Sequence, residues 1–295
     1  MTEPWAFVDG DFIPFSQMAL PLDDAGVVFG VIVTDLARTF GNRLYRWPEH
    51  LARFRASCRA VHVEPRFDDD VLTGTAHELI RRNARAGGEQ CLVVYATPGR
   101  LGHFRGAGGI GPATTGMHTY PLPWDRYRDL VERGAVLRVP GVRQLPATSV
   151  PPTVKARSRL HWWLADHEVA ASDPAAKALL LDATGHVTET AIANFLTVRG
   201  DRVMSPRRGS VLLGISLGVV RDLCSSVGLV FEERDLTLAE CLDGDEALLT
   251  GTAFSIAGVR QLDDRTYPFP GRAFVRLAEA WSREVGADIY GGLRP

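Results

Sequence analysis

Short apolar strands alternate with longer amphipathic helices along the whole chain of 295 residues, and this order limits the fold to a mixed class. A hairpin is predicted over Trp5–Phe15, since Asp9-Gly10 is a turn dipeptide between two apolar runs. Apolar residues at helical spacing predict helices from Pro48 and over Asp68–Arg85, and a buried strand follows at Cys91–Tyr95. The sequence therefore predicts an α+β protein.

The second half of the chain continues this mixture after Pro121-Leu122-Pro123. We expect a small α/β domain over residues 1–120, a linker over 121–134 and a large domain over 135–295. The glycine-rich stretch 100–116 is expected to be a loop. Further strands are predicted over Val27–Ala37, Met117–Tyr120, Val136–Val139, Ala178–Asp182, Phe195–Val198 and Ala247–Thr250, and further helices over Tyr127–Glu132, from the residue after Lys155 to Ala171, over Gly214–Val227 and over Arg272–Val285.

Composition narrows the function classes. The net charge of −2 gives no sign of a nucleic-acid partner, and no apolar run reaches the length of a membrane span. The start of the chain, Met1–Trp5, lacks the pattern of a secretion signal. We expect a cytoplasmic protein whose four widely spaced cysteines are free buried thiols, and the eight histidines form no metal-binding pattern.

Lysine is almost absent from this arginine-rich chain, which has 31 arginines and only Lys155 and Lys177. Arginine cannot replace a lysine whose amine must lose its proton and attack a carbonyl. Lys177 lies in a polar turn and is interpreted as a surface residue. Lys155 precedes an apolar segment with Trp162 and Trp163, which favours desolvation. These residues alone leave open whether Lys155 is a Schiff-base lysine or an ordinary residue near a helix start.

Three segments are candidate anion sites. Arg53 follows His50 by one helical turn, so its guanidinium either binds a phosphate or belongs to an ordinary amphipathic helix. Gly214-Ile215-Ser216 opens a helix whose first N–H groups suit an anion, and Thr250–Ala253 has the same character after a buried strand. Plain helix capping is the alternative for both.

One carboxylate, that of Glu189, lies in a neutral segment of small residues. A buried glutamate needs a partner, which is either a protonated ring nitrogen or a nearby arginine. Two other letter matches are discounted. Gly106, Gly108 and Gly111 spell G-x-G-x-x-G without the flanking strand and helix, and Ser216 lies in a G-x-S-x-G sequence that no histidine follows.

Taken in order, these motifs resemble the fold type IV pyridoxal-phosphate enzymes, which include branched-chain and D-amino acid aminotransferases, (R)-selective amine transaminases and aminodeoxychorismate lyase. The resemblance implies a small α/β lobe, a linker and a larger pseudo-barrel lobe, in a homodimer whose pocket lies at the lobe boundary. It is carried by Asp9-Gly10, Asp24–Gly26, Phe29-Gly30, His50-x-x-Arg53, Lys155, Val187–Glu189, Asn194-Phe195, Gly214–Ser216 and Thr250–Ala253.

The resemblance also implies the roles of the site residues. Lys155 would form the internal aldimine with pyridoxal 5'-phosphate and then move the substrate α-proton, as base and as acid. Glu189 would keep the pyridine nitrogen protonated. The phosphate would be bound by Arg53, by the N–H groups of Ile192, Ile215 and Ser216, and by Thr252. An amino donor and a 2-keto acid acceptor would react in a ping-pong cycle without a metal.

The departures from the family pattern fall where the substrate binds. Leu160 stands where branched-chain enzymes have a tyrosine, and Thr34 where D-amino acid enzymes have an aromatic residue. The Tyr-x-Arg-Pro motif of branched-chain enzymes is here Tyr95-Ala96-Thr97-Pro98, which lacks the arginine. Candidate substrate residues are Thr34, Tyr95, Arg100, Arg143, Arg159 and Ala253.

Three functions are consistent with this pattern. The leading hypothesis is an aminotransferase for a small amino acid or amine. The second is an eliminase resembling aminodeoxychorismate lyase, which would release pyruvate without a keto acid acceptor. The third is a catalytically idle relative that only binds a cofactor or a protein partner. The combination of Lys155, Glu189 and Arg53 argues against the third, because a protein that only binds has no need of a deprotonatable amine.

Overall fold

The computed structural model describes residues 3–84 and 88–289, which form two compact units. The first unit contains the chain up to Leu122 and the separate segment Val154–Ser158, and the second contains Pro123–Thr153 and the chain from Arg159 onward. These units differ from the predicted domains in two respects. The predicted linker 121–134 contains a helix of the second unit, and the segment around Lys155 belongs to the first unit instead of the large domain.

The first unit is built on one antiparallel sheet with helices on one of its faces. Its strands are β1 (Trp5–Val8), β2 (Asp11–Pro14), β3 (Val33–Phe40), β4 (Arg43–Leu44), β5 (Gln90–Thr97) and β6 (Thr114–Pro121), and its helices are α1 (Ala25–Val28), α2 (Trp47–Ala60) and α3 (Asp69–Arg82). The six strands follow the order β2-β1-β6-β5-β3-β4, with antiparallel neighbours throughout. Helices α2 and α3 pack against this sheet and bury the core of the unit.

Turn chemistry explains the start of this unit. Asp9 and Gly10 have φ angles of 54° and 117°, and Val8 pairs with Asp11, so the predicted hairpin is confirmed. Positive φ at both central residues is what a tight hairpin turn requires. Helix α3 begins near the predicted position and ends at Arg82, whereas Arg85 at the end of the predicted span lies outside the described residues.

The prediction of a strand over Val27–Ala37 is wrong in its first half. The residues Ala25–Val28 form the short helix α1, and strand β3 begins only at Val33. The side chain of Asp24 accepts a hydrogen bond from the Gly26 N–H at 2.7 Å and caps this helix. The cap outweighs the β preference of the paired valines, since propensity is a weak prior that local contacts override.

The second unit contains a closed ring of strands. Its strands are β7 (Ala135–Arg138), β8 (Lys177–Leu181), β9 (Val187–Thr190), β10 (Asn194–Arg199), β11 (Arg202–Ser205), β12 (Val230–Glu233), β13 (Glu246–Gly251), β14 (Ser255–Leu262) and β15 (Arg265–Thr266), and its helices are α4 (Trp124–Arg133), α5 (Leu160–Ser172), α6 (Ile215–Ser226), α7 (Leu238–Leu242) and α8 (Arg272–Val285). The sheet runs β12-β11-β10-β13-β14-β7-β8-β9, and β9 also pairs with β10, so six of the strands close on themselves.

The core of the second unit holds Leu137, Phe195, Leu249 and Phe254, each almost completely buried. The strands and helices predicted for this half are found within a few residues of their expected bounds. The largest shift concerns α5, which begins at Leu160 instead of directly after Lys155. The four cysteines are buried and free, as predicted. No helix in the described ranges combines the length and the apolar character that a membrane crossing requires.

We expect His118 to make the stability of the protein depend on pH. It lies in β6 beside Phe15, with ring centroids 5.3 Å apart, and in the described part of the chain its buried Nδ1 atom has no hydrogen-bond partner. Burial, together with the nearby charge of Arg157, lowers the pKa of His118 to about 4. The unfolded chain therefore takes up a proton at a higher pH than the folded protein does.

We expect the free energy of unfolding to fall on the order of 3 kcal/mol as the pH drops from about 6.5 to about 4. His118→Phe keeps an aromatic ring beside Phe15 and removes the titrating group. Denaturant unfolding at pH 7.5, 6, 5 and 4 should show a flatter pH profile in this variant. A profile as steep as that of the wild type would show that His118 does not carry the effect.

Candidate active site

A buried carboxylate organises the candidate site of the first unit. Asp35 is fully buried on β3, and both of its oxygens accept hydrogen bonds from helix α2. Arg53 donates to it from Nε at 2.8 Å and from Nη2 at 2.9 Å, and His50 contacts it through Nδ1 at 2.7 Å. Two parallel hydrogen bonds fix the plane of the guanidinium. Arg53, predicted as a phosphate ligand, is therefore held in one orientation.

Electrostatics fix the protonation states in this cluster. Although burial opposes ionisation, the charge of Arg53 and the hydrogen bond from His50 hold the pKa of Asp35 well below its usual range. Burial lowers the pKa of His50, and the charges of Arg53 and Lys155 add to this effect, although Asp35 opposes it. An ionised carboxylate only accepts hydrogen bonds, so the neutral imidazole of His50 carries its proton on Nδ1.

Lys155 is anchored beside this cluster through its backbone. The segment Val154–Ser158 pairs with the start of β3, where the Thr34 N–H donates to the Lys155 carbonyl at 2.9 Å. The Lys155 N–H donates to the Ser57 hydroxyl at 3.2 Å. His50, Arg53 and Ser57 share one face of α2, because their spacing of three and four residues follows the helical repeat. The half-buried Lys155 thus has a backbone fixed from two sides.

The substrate residues predicted in the first unit have local partners. Thr34 and Tyr95 are paired across β3 and β5, and the Thr34 hydroxyl donates to the Val94 carbonyl at 3.1 Å. Burial raises the pKa of Tyr95 to about 12, so this phenol stays protonated. The guanidinium of Arg100 donates from Nε to both oxygens of Asp23, at 2.9 and 3.0 Å. Arg100 is thus already paired with a carboxylate.

In the second unit, Asn194 links two of the predicted motifs. Its amide donates to Glu189 Oε2 at 3.1 Å and to the Leu212 carbonyl at 2.9 Å. The Leu212 N–H donates to Glu189 Oε1 at 2.9 Å. Asn194 also pairs with Thr250 across β10 and β13. One donor on each oxygen sets the orientation of the buried Glu189 carboxylate.

Helix α6 begins against the same asparagine. Gly214 is its N-cap residue, and within residues 3–84 and 88–289 no side chain caps the first turn, which contains Ile215 and Ser216. The N–H groups of a first helical turn lack intrahelical partners and attract anions. A Cβ atom on Gly214 would lie 2.1 Å from Asn194 Oδ1, so only glycine allows this close approach.

Two turns lie next to this arrangement. The Ile192 N–H, predicted as a phosphate donor, is 3.4 Å from Thr190 Oγ1, which is a long hydrogen bond. A Cβ atom on Gly251 would lie 2.8 Å from the Ile192 carbonyl, so this turn approaches the one that contains Thr252 and Ala253. The second unit therefore brings together the segments of Glu189, Ile192, Ile215 and Thr252.

The two remaining candidate arginines also have backbone partners. Arg159 donates to the Ala191 carbonyl through a short hydrogen bond, and Arg143 donates to the Pro140 carbonyl at 2.7 Å. Both guanidinium groups therefore contact carbonyl groups of their own unit. Their role at a substrate carboxylate remains a prediction.

Sequence reasoning missed Asp35 and Ser57 as site residues. Asp35 is the one acid in the apolar run Val31–Ala37, and an acid on the core side of a strand is a detectable signal of a buried partner. Ser57 follows Arg53 by four residues, but a serine at this spacing is common on ordinary helices. Asn194 was noticed only as part of a motif, and its role as the anchor of Glu189 comes from the structure.

Gly214→Ala tests the junction between Asn194 and helix α6. The new methyl group forces Asn194 away and releases the Glu189 carboxylate, so we expect a loss of stability of about 1–3 kcal/mol. Cofactor affinity should fall as well. Thermal unfolding and a cofactor titration would measure both effects.

Gly218→Ala is the matched control in the same helix. A Cβ atom there meets only Arg221 Nη2, at 3.9 Å, and alanine is the better helix former, so this variant should be at least as stable as the wild type. Equal behaviour of the two variants would contradict the proposed close contact at Gly214.

Comparison with known proteins identifies the family. Residues 33–262 match the family model for amino-transferase class IV. The D-alanine aminotransferase of Bacillus licheniformis is 25% identical over 260 residues, which cover 88% of each chain. The branched-chain aminotransferase of Thermoproteus uzoniensis, solved with norvaline, has a TM-score of 0.85 at 19% identity and covers 97% of this chain and 96% of that chain.

A second solved structure shows the same fold with a cofactor bound. The aminotransferase from Brucella abortus, solved with the co-factor PLP, has a TM-score of 0.83 at 21% identity and covers 96% of this chain and 99% of that chain. The chain belongs to the class IV aminotransferase family. The predictions of this family, of its α+β fold and of a transferase enzyme are confirmed. The predicted cofactor, pyridoxal 5'-phosphate, is the one that this family uses.

Proposed function

We propose that this chain transfers an amino group between a small amino acid or amine and a 2-keto acid, with Lys155 as its catalytic residue. The observation that carries the proposal is the anchoring of Lys155 by Thr34 and Ser57 next to the buried cluster of Asp35, His50 and Arg53. An ordinary surface lysine near a helix start does not need its backbone fixed by two hydrogen bonds beside a buried charged cluster. The membership of the chain in the class IV aminotransferases supports the same conclusion.

The residues of the chain fit the chemistry of pyridoxal phosphate. Its phosphate needs cationic and N–H donors. The first unit offers the oriented Arg53, and the second unit offers the N–H groups of the first turn of α6. Its pyridine nitrogen needs an oriented carboxylate, and Glu189 is held by Asn194 and Leu212. The glycine at 214 lets Asn194, which orients Glu189, lie directly against the start of α6. We propose Arg53, Ile192, Ile215, Ser216 and Thr252 as the phosphate ligands.

The cofactor, when bound, supplies an electron sink that stabilises negative charge on the substrate α-carbon. Lys155 acts first as a base, which takes the proton from the substrate α-carbon. It then acts as an acid, which delivers that proton to a carbon atom of the cofactor. This task needs an amine that changes its protonation state near neutral pH, which a guanidinium cannot do.

Glu189 orients the ring and favours its protonated nitrogen. Glu189→Gln keeps the shape and the contact with the Leu212 N–H but removes the charge. We expect turnover to fall about a hundredfold or more, while the enzyme still binds cofactor. Single-turnover rates with a saturating amino donor would measure the effect. Unchanged rates would exclude a catalytic role for the charge of Glu189.

The substrate carboxylate needs hydrogen-bond donors, and the three candidate arginines are already occupied. Arg100, Arg143 and Arg159 are each engaged with an acceptor of their own unit, so binding a substrate would require them to exchange partners. We therefore favour the turn at Thr252 and Ala253 for the carboxylate, with Thr34 and Tyr95 near the substrate side chain. The similarity to D-alanine aminotransferase makes alanine the first substrate to test.

The proposed function is tested by the two half-reactions. The cofactor-loaded enzyme is mixed with D-alanine, L-alanine or a primary amine without a keto acid, and the visible absorption band is followed. Conversion of the band by one donor, and its return on addition of 2-oxoglutarate, supports amino transfer. Pyruvate release from a non-alanine substrate such as serine, with no acceptor and no lasting change in the band, would replace amino transfer with elimination.

We also propose that the chain forms a homodimer in the cytoplasm. The first unit exposes apolar side chains at Leu22, Phe29 and Phe104, of which Leu22 is 84% exposed. Large exposed apolar side chains are the kind of surface that a partner subunit would cover. Free cysteines in the described residues are typical of a reducing compartment. Sedimentation at micromolar concentration would test the dimer.

A further inference from the structure

A cationic cavity lies in the second unit, and its charged lining residues have no role in the proposed amino transfer. Its volume is about 340 Å³, within the range of small-molecule sites. Arg126 and Arg133 line it from α4, where a spacing of seven residues puts both on one helix face. Lys177 lines it from the start of β8 and Arg260 from β14.

The positive charges of this cavity are not balanced by its own acids. Two carboxylates also line it, and each already has a partner. Asp129 lies 3.5 Å from Arg133, and Asp166 accepts the Ala178 N–H at 3.1 Å. Four cations and two carboxylates leave a formal charge of +2. A concave surface with one excess sign of charge concentrates counter-ions of the opposite sign.

The contrast with the other basic residues strengthens this point. Many arginines of this chain pair with a carboxylate, as Arg128 does with Asp125 at 2.6 Å. Among residues 3–84 and 88–289, no ion pair is found for Arg126, Lys177 or Arg260. The cavity is therefore lined, within those ranges, by three cations that have no carboxylate partner. They come from three different elements, α4, β8 and β14. Lys177 is also one of only two lysines in the sequence.

We propose that this cavity binds a small dianion, either a dicarboxylate or a phosphate, with Lys177, Arg126 and Arg260 as its ligands. Two negative charges match the excess charge of the lining. Both classes offer several oxygens to guanidinium and ammonium donors, and hydrogen bonds to charged groups are the stronger kind. The main-chain turn Thr190–Ile192 forms part of the wall, so an anion there lies against a turn that we assign to the cofactor.

Calorimetric titration of the enzyme saturated with pyridoxal phosphate tests this site. Succinate, inorganic phosphate and acetate are titrated separately at pH 7.5, at an ionic strength held constant with sodium chloride. We expect saturable binding of at least one dianion, and acetate should bind about tenfold more weakly or worse. Binding of succinate alone identifies the ligand class as dicarboxylates, and binding of phosphate alone identifies it as phosphates.

Variants then locate the site. Lys177→Gln and Arg260→Gln each remove one exposed charge and should weaken dianion binding at least about tenfold. Arg128→Gln, on the same helix as Arg126 but outside the cavity, is the matched control and should leave the affinity unchanged. The absence of saturable binding by either dianion, or equal affinity in Lys177→Gln, Arg260→Gln and the wild type, would overturn the proposal. Binding is measured without turnover, so the outcome is independent of the proposed aminotransferase activity.

Discussion

Replacing Lys155 with alanine is expected to reduce amino transfer by about 10³-fold or more, because the variant lacks the amine that moves the substrate proton. Its fold should persist, since the backbone of residue 155 keeps its contacts with Thr34 and Ser57. Stopped-flow absorbance of the half-reaction with an amino donor measures the loss.

Lys155→Arg sharpens this test, because it keeps a positive charge at the position. A guanidinium cannot lose its proton near neutral pH, so this variant should be as inactive as Lys155→Ala. Arg128→Ala removes an exposed cation that is paired with Asp125, and it should keep full activity. Retention of more than a tenth of the wild-type rate by Lys155→Arg would show that the lysine acts only through its charge.

Replacing Asp35 with asparagine is expected to lower the free energy of unfolding by about 3–5 kcal/mol, because the change leaves the buried Arg53 without a compensating charge. Asparagine also has one acceptor oxygen where Asp35 has two, so it cannot accept all the hydrogen bonds from His50 and Arg53. Cofactor affinity should fall together with stability, since the orientation of Arg53 depends on Asp35. Denaturant unfolding and a cofactor titration would measure the two effects.

Asp69→Asn is the matched control for this variant. Asp69 accepts a hydrogen bond from Arg55 at 2.7 Å, and Arg55 lies on the same helix α2 as Arg53, but the aspartate side chain is 64% exposed. An exposed ion pair contributes less than about 1 kcal/mol, so this substitution should leave the free energy of unfolding almost unchanged. Similar destabilisation by the two substitutions would mean that the burial of Asp35 does not matter.

The contribution of Asp35 to the free energy of unfolding also depends on pH. Its pKa in the folded protein lies below the ordinary value of 3.8, so the stabilisation is present above that pH and is lost as the pH falls further. Unfolding of the wild type between pH 5 and 2 should show this loss. Asp35→Asn should lack this part of the acid sensitivity, because the amide does not titrate.

Much of the fold could be predicted because local chemistry determined it. Asp9-Gly10 allows few conformations other than a tight hairpin turn, and Arg272–Val285 has the apolar spacing and the following glycine of a complete helix. The segment Ala25–Val28 was mispredicted because one side chain, that of Asp24, reversed the preference of two valines. A cap of this kind acts through a single contact, which periodicity does not reveal.

The candidate site could be predicted only where a residue type carries its own chemistry. Lys155 and Glu189 could be found from sequence, since a rare lysine and an isolated acid are visible without coordinates. The contacts that anchor these residues could not be found from sequence. Ser57 contacts Lys155, which is 98 residues away, and Asn194 contacts Leu212, which is 18 residues away. The segment Val154–Ser158 belongs to the first unit because it pairs with strand β3, which is far away in the sequence, and this too could not be predicted.

The central claim, that Lys155 is the residue to which the cofactor attaches, is tested most directly by chemical trapping. The purified protein is saturated with pyridoxal phosphate, treated with sodium borohydride and digested, and the peptides are mapped by mass spectrometry. We predict that the visible absorption disappears and that a single phosphopyridoxyl group is found on Lys155. Labelling of Lys177 instead, or a protein that stays colourless and unlabelled with added cofactor, would contradict the account.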